Sequence, residues 1–185
     1  SSMRHYPRNP DFYLIKARAL NAISNNPSDA IKRFKAELSN NGQNLDATYY
    51  GLALAYIRAG KFDLAREALD PLLANHPFQL SFQYADLELD LSQKRYTEGL
   101  AKLDKLLRVS PNSYPLTTIK SEILWQSHRY EEAGDVLTAL SRMRPEDPLV
   151  WYRLAEVRGL AGNISGVHEA RAEYFILVGA FDKAR

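Results

Sequence analysis

Apolar residues fall at helical spacing along almost the whole chain, in blocks that recur. Tyr49, Leu52, Ala53 and Tyr56 lie on one side of a helix, as do Trp151, Leu154 and Ala155 in a later block. A small residue marks the helix that follows each such block. Ala30, Ala65, Gly99, Ala133 and Val167 stand at intervals of 35, 34, 34 and 34 residues. Three positions before four of them comes a large apolar group, Phe62, Tyr96, Tyr130 or Ile164, and Leu69, Leu103 and Leu137 come four positions after. Twelve positions on stands a breaker, Pro77, Pro111, Pro145 or Gly179. The pattern predicts helices over 11–23, 28–40, 46–59, 62–75, 79–92, 96–109, 113–127, 130–143, 147–161 and 164–178, with a further start at 180. Leu80, Phe82 and Tyr84, then Leu87, Leu89 and Leu91, alternate as a strand would, but the 34-residue register runs through them and a helix is expected.

A 34-residue period with aromatic and leucine positions in its first half, then a small residue and a closing proline, is the tetratricopeptide pattern. A hairpin of two helices cannot bury its apolar face alone, so neighbours must stack. The small residue lets the second helix lie close to the first, and the proline, having no N–H, stops it. The expected fold is therefore all-α: a tetratricopeptide-repeat superhelical solenoid of antiparallel helix pairs. Residues 1–10 read as a tag scar (Ser1-Ser2-Met3) and linker. Residues 11–185 read as the repeat domain, about five pairs plus the start of a further helix. The natural chain is expected to run on past both ends. Pro71, inside a second helix, predicts a kink or a restart capped by Asp70. Asp86 and Lys120 stand where the pattern calls for leucine. Gly179-Ala-Phe-Asp-Lys-Ala184 echoes Gly60-Lys-Phe-Asp-Leu-Ala65 three and a half periods later, so helix 164–178 closes one repeat and opens the next.

Composition narrows the function more than it names one. With 45% hydrophobic and 25% charged residues the chain is neither disordered nor low in complexity. A net charge of +2 gives no footprint for nucleic acid. The longest apolar stretch, Tyr174 to Phe181, is far short of the roughly 20 residues that span a bilayer. No cysteine is present, which excludes disulfides and thiolate metal sites. His5, His76, His128 and His168 form no pair at metal-binding spacing, and Ala172 stands where a partner of His168 would be. No H-E-x-x-H, phosphate loop, dinucleotide fingerprint or nucleophile elbow occurs. Asn163-Ile-Ser165 has the form of a glycosylation sequon but reads better as a helix-start turn. Neither catalytic nor cofactor-binding residues are expected.

Several blocks carry a more particular likeness. They are Asp11-Phe-Tyr-Leu-Ile-Lys-Ala-Arg-Ala-Leu20, Tyr50-Gly-Leu-Ala-Leu-Ala-Tyr56 with Phe62-Asp-Leu-Ala-Arg66, Leu69-Asp-Pro-Leu-Leu73, and above all the stretch from Leu154 to Ala184. Together they resemble the C-terminal repeat domain of the β-barrel assembly-enhancing proteases, periplasmic zinc metallopeptidases of Gram-negative bacteria. The resemblance implies an N-terminal H-E-x-x-H peptidase domain, absent here, which would hold the zinc. It implies that the repeats pack beside that domain and engage the outer-membrane β-barrel assembly machinery or its substrates, as part of a protease and chaperone. It also implies a periplasmic location and only indirect contact with the membrane. The alternative is a stand-alone tetratricopeptide adaptor in pilus or secretion-system assembly. A carboxylate-clamp adaptor is rejected, because the matching first-helix positions hold Tyr and Glu.

In such a solenoid the first helix of each pair lines the concave wall. Numbered from Asp46, Leu80, Tyr114 and Pro148, the fifth positions are Tyr50, Tyr84, Thr118 and Tyr152, and the ninth are Leu54, Glu88, Glu122 and Glu156. Five and nine share a helix face. A protein-binding groove is therefore expected from Tyr50, Leu54, Tyr84, Glu88, Glu122, Trp125, Tyr152 and Glu156, an acidic row beside a tyrosine row. The bland alternative is solvated glutamates, with Arg153 and Arg158 neutralising Glu156. The last helix, carrying Tyr174, Phe175, Ile176 and Leu177, is expected to leave apolar surface open.

Overall fold

The computed structural model describes residues 9–185. The expected tag scar and His5 lie outside the described residues. Ten α-helices and no strand are found among the described residues: α1 (Pro10–Ile23), α2 (Pro27–Ser39), α3 (Leu45–Arg58), α4 (Phe62–Asn75), α5 (Leu80–Ser92), α6 (Tyr96–Val109), α7 (Tyr114–Gln126), α8 (Tyr130–Met143), α9 (Pro148–Leu160) and α10 (Ile164–Lys183).

The helix starts are encoded locally. Asn9, Asn26, Asn44, Ser113, Asp147 and Asn163 each accept a hydrogen bond from a first-turn backbone N–H, at 2.9–3.4 Å. The helix ends repeat with the period of the sequence. Gly60, Lys94, His128 and Gly162, spaced by 34, all adopt positive φ, between 59° and 81°. Each left-handed residue reverses the chain within a pair. The next N–H then bonds back to the helix, as Lys61 N–H does to the Tyr56 carbonyl (2.9 Å), Arg129 to Leu124 (2.8 Å) and Asn163 to Arg158 (2.8 Å). Between pairs, His76, Ser110 and Arg144 precede the prolines and share φ of −129° to −137° with ψ of 65° to 72°. Proline pushes the residue before it out of the helical region, so α4, α6 and α8 all stop two residues short of it.

The described residues form two compact units, divided between Gln93 and Lys94. In the first, α3 is central: α1 and α5 pack on it from two sides, and α2 and α4 pack along it. Phe34, Tyr50, Ala53, Ala65, Leu69 and Leu89 form its core. Close approach has a specific basis at Gly51, where a Cβ would lie 2.4 Å from the Phe34 ring. In the second unit α7, α8, α9 and α10 pack in succession, and Leu124, Leu137, Leu140, Leu154 and Val157 are buried together. Ala30, Ala65, Gly99 and Ala133 are all buried, as the spacing required, while Val167 is half-buried.

One expectation is narrowed and one corrected. α4 passes through Pro71 as a single helix, so of the kink and the restart the restart at Asp70 is excluded. Pro71 and Glu67 are both exposed, so the helical bond that proline removes is lost on the outer side of the helix and not in the core. α10 also continues through Gly179 to Lys183 instead of ending at 178. A glycine stops a helix by taking positive φ, and Gly179, unlike Gly60 and Gly162, does not.

Candidate protein-binding surface

In the first unit the residues of the expected groove converge on a side chain that the spacing argument overlooked. Arg18, on α1, donates from Nε to the Tyr50 hydroxyl on α3 (2.9 Å). Its Nη1 and Nη2 donate to the two carboxylate oxygens of Glu88 on α5, at 3.2 and 2.6 Å. The guanidinium also lies 5.6 Å from the Tyr50 ring centroid and 5.4 Å from that of Tyr84. One arginine thus ties together the first helices of three successive pairs. Burial works against its charge, but the hydrogen bonds and field of Glu88 prevail and hold the guanidinium above its ordinary pKa. Burial pushes the Tyr50 phenol up, against the opposing pull of Arg18. Tyr50 is only 1% exposed, its ring 5.6 Å from that of Phe82, and Leu54 is also buried. Both belong to the core and not to an open wall. Tyr84 and Glu88 remain half-exposed.

A second arginine resolves an oddity of the sequence. Asp86 stands where leucine was expected because Arg66 of α4 reaches it, bonding Asp86 with Nη1 and the buried Asp90 with Nη2 (2.8 Å). Burial opposes the Arg66 charge too, but the hydrogen bond and field of Asp86 and the field of Asp90 raise its pKa. Lys120 has a similar explanation, with Asp104 at 3.7 Å.

In the second unit the guanidinium of Arg153 on α9 lies 4.3 Å from the Trp125 ring centroid and 3.3 Å from a Glu122 oxygen, both residues on α7. Trp125 is half-buried. Arg153 therefore neutralises Glu122, not Glu156. Arg158 turns to the Gly166 carbonyl (3.0 Å) and toward Glu169 (3.9 Å). Glu156 is exposed and makes no ion pair among the described residues. So the expected row of free carboxylates reduces to one: Glu88 and Glu122 are each held by an arginine. Arg18 could have been found only by asking what would sit opposite a glutamate at the ninth position, a question that needs the packing of α1 on α3.

Tyr152 is 57% exposed and its ring lies tilted against that of Tyr174 of α10, centroids 5.6 Å apart. Both line an open cleft of about 610 Å³ between α9 and α10, together with Glu156, Leu160, Ile164 and Phe175. Phe175, Ile176 and Phe181 of α10 are each more than 60% exposed, in keeping with the apolar surface expected there. Among the described residues no group of three or more His, Asp or Glu could hold a metal ion, and no helix is long and apolar enough to cross a membrane.

Paired helices of this length, turned at a 34-residue interval and exposing aromatic and charged side chains of their first helices, define the class: the chain has the tetratricopeptide-repeat fold. The tetratricopeptide-repeat family model matches residues 50–114. A thermophilic tetratricopeptide protein of Thermus thermophilus superposes with a TM-score of 0.69 at 20% identity, covering 90% of each chain. MamA of Desulfovibrio magneticus RS-1 gives 0.68 at 16% identity, over 92% of this chain and 95% of its own. Among curated proteins, the chain is 29% identical over 175 residues to the beta-barrel assembly-enhancing protease of Escherichia coli strain K12, which is 94% of this chain and 36% of the relative. The protein of that name in Yersinia pestis is 30% identical over 139 residues, 75% of this chain and 28% of its own length. The chain thus spans about a third of the relatives it matches.

Proposed function

We infer that the chain is the non-catalytic, protein-binding repeat domain of a zinc-dependent metalloprotease and chaperone that promotes the assembly of outer-membrane proteins or the degradation of those that stall. The likeness over 94% of the chain to beta-barrel assembly-enhancing proteases carries this reading. The partners are the protein's own peptidase domain and the β-barrel assembly machinery or its substrates, met in the periplasm. Among the described residues no group of His, Asp and Glu could hold a metal ion, and in this reading the zinc belongs to the peptidase domain. Each unit offers contact residues of its own: the half-exposed Tyr84 in the first, and the half-buried Trp125 with the exposed Tyr152 and Glu156 in the second. Tyr50 and Leu54 act from inside the first unit, by packing against α5, which presents Tyr84.

Tyrosine and tryptophan carry most of the affinity in such contacts, and rim charges little. The purified chain should bind an unfolded outer-membrane β-barrel protein, or the isolated assembly complex, with saturation in fluorescence anisotropy. Tyr84→Ala and Trp125→Ala should each weaken that binding severalfold. Binding to neither, or binding indifferent to both substitutions, would overturn the reading. So would a gene in which no H-E-x-x-H segment accompanies these repeats, which would leave the stand-alone adaptor.

A further inference from the structure

The α9–α10 cleft has a counterpart one repeat earlier in the chain, and there a helix covers it. One repeat earlier, α9 is the helix that covers the α7–α8 pair. It buries Val150, Leu154 and Val157 among Leu124, Leu137 and Leu140, and sets Arg153 against Glu122. Moved on by 34 residues, Glu122 becomes Glu156, Leu137 becomes Arg171 and Leu140 becomes Tyr174. Glu122 has its arginine. Glu156 has none, although it stands at the same place on its helix. The same contrast holds for burial. Tyr50 is 1% exposed because α5 brings Phe82 onto it, while Tyr152, at the same repeat position, is 57% exposed.

The walls also say what the occupant carries. Apolar side chains of Tyr152, Leu160, Ile164 and Phe175 ask for an apolar stripe. Glu156 asks for a basic residue. Arg171 replaces a buried leucine and makes no ion pair among the described residues, and a covered arginine without a counter-charge is costly. Both charges are exposed, so nothing buried converges to orient a small polar ligand.

We propose that this cleft binds an amphipathic helix of a partner protein, laid as the first helix of a further repeat would lie. The helix presents an apolar stripe to Tyr152 and Phe175, a basic side chain to Glu156 and an acidic one to Arg171. The proposal rests on the chain being a protein-binding repeat domain, but not on its link to β-barrel assembly.

The probe is a fluorescent, hydrocarbon-stapled peptide with the sequence of α9, residues 148–160, which carries both signs of charge. It should bind the intact chain saturably, one to one, by anisotropy. Tyr152→Ala should weaken binding about tenfold, and Glu156→Lys about fivefold. Arg153→Glu in the peptide should weaken binding to the unaltered chain and restore it to the Glu156→Lys chain. Tyr152 and Glu156 are exposed, so circular dichroism should show both variants folded. Binding indifferent to both substitutions, binding abolished by Tyr84→Ala but not by Tyr152→Ala, or no binding at all would overturn the proposal. A concentration-dependent dimer broken by Glu156→Lys would also overturn it, making a second copy the occupant. A failed peptide titration beside intact binding of outer-membrane proteins would sink this inference alone, and the reverse result would sink only the assembly reading.

Discussion

Arg18 and Glu88 are joined by two hydrogen bonds, 3.2 and 2.6 Å, across α3, though 70 residues separate them in the chain. Both side chains are about one-third exposed, so the pair is neither dry nor fully screened. A partly exposed bidentate pair of this kind is worth about 1 kcal/mol. A double-mutant cycle with Arg18→Ala and Glu88→Ala, read by urea unfolding, should give that coupling. It should shrink in 1 M salt. Strict additivity would mean that the pair contributes nothing to the unit.

Tyr50 gives the same unit an alkaline weakness. Burial raises its phenol pKa in the folded state, so the neutral form is the one that folding favours. The stabilisation is therefore complete below the unfolded value near 10, and is lost as pH rises through the folded value. Unfolding midpoints measured from pH 9 to 12 should fall more steeply for the unaltered chain than for Tyr50→Phe. Parallel slopes would contradict this.

Gly51 and Phe34 test the fit between α2 and α3. A methyl group at 51 would meet the Phe34 ring at 2.4 Å, inside a core where Phe34 is nearly inaccessible. Gly51→Ala should destabilise by about 1–3 kcal/mol, the range for overpacking. Phe34→Leu in the same chain should recover part of the loss, and thermal melts of the three variants would show it.

Lys94 and His128 hold a conformation that suits glycine. The left-handed region costs an ordinary residue about 1 kcal/mol or more. Lys94→Gly should therefore raise stability by about 0.5–1 kcal/mol. His128→Gly should gain less, because it also removes the His128–Tyr130 ring contact, centroids 5.5 Å apart. Gly60→Ala and Gly162→Ala should lose stability. If all four substitutions moved the melting temperature in one direction, the turn geometry would not be what limits these positions.

Much of this architecture is legible in the order of residues. Counting small residues and prolines locates α4, α6 and α8 to the residue, because caps, prolines and core positions all repeat together. Gly179 misled, and the restart expected at Pro71 did not occur, for one reason: each residue weakens a helix without forbidding it. The candidate surface was less accessible. Tyr50 and Tyr152 have the same place in the repeat, yet one is buried and the other open, since burial depends on whether a further helix follows. Glu88 and Glu122 read as free charges because the arginines that hold them come from other helices. A period tells which face a residue occupies, and packing decides what meets it.

The matching turns at 60, 94, 128 and 162 make the chain divisible. Excising residues 61–94 would join Gly60 to Arg95, and the left-handed residue would still be followed by a basic residue and then an aromatic helix start. Neighbours would change, but no new backbone conformation would be required. Removing one residue fewer would instead place Lys94 directly after Gly60, and two left-handed positions would meet in one turn. Recombination within such a gene can therefore add or drop units of recognition while reusing the hinge already present.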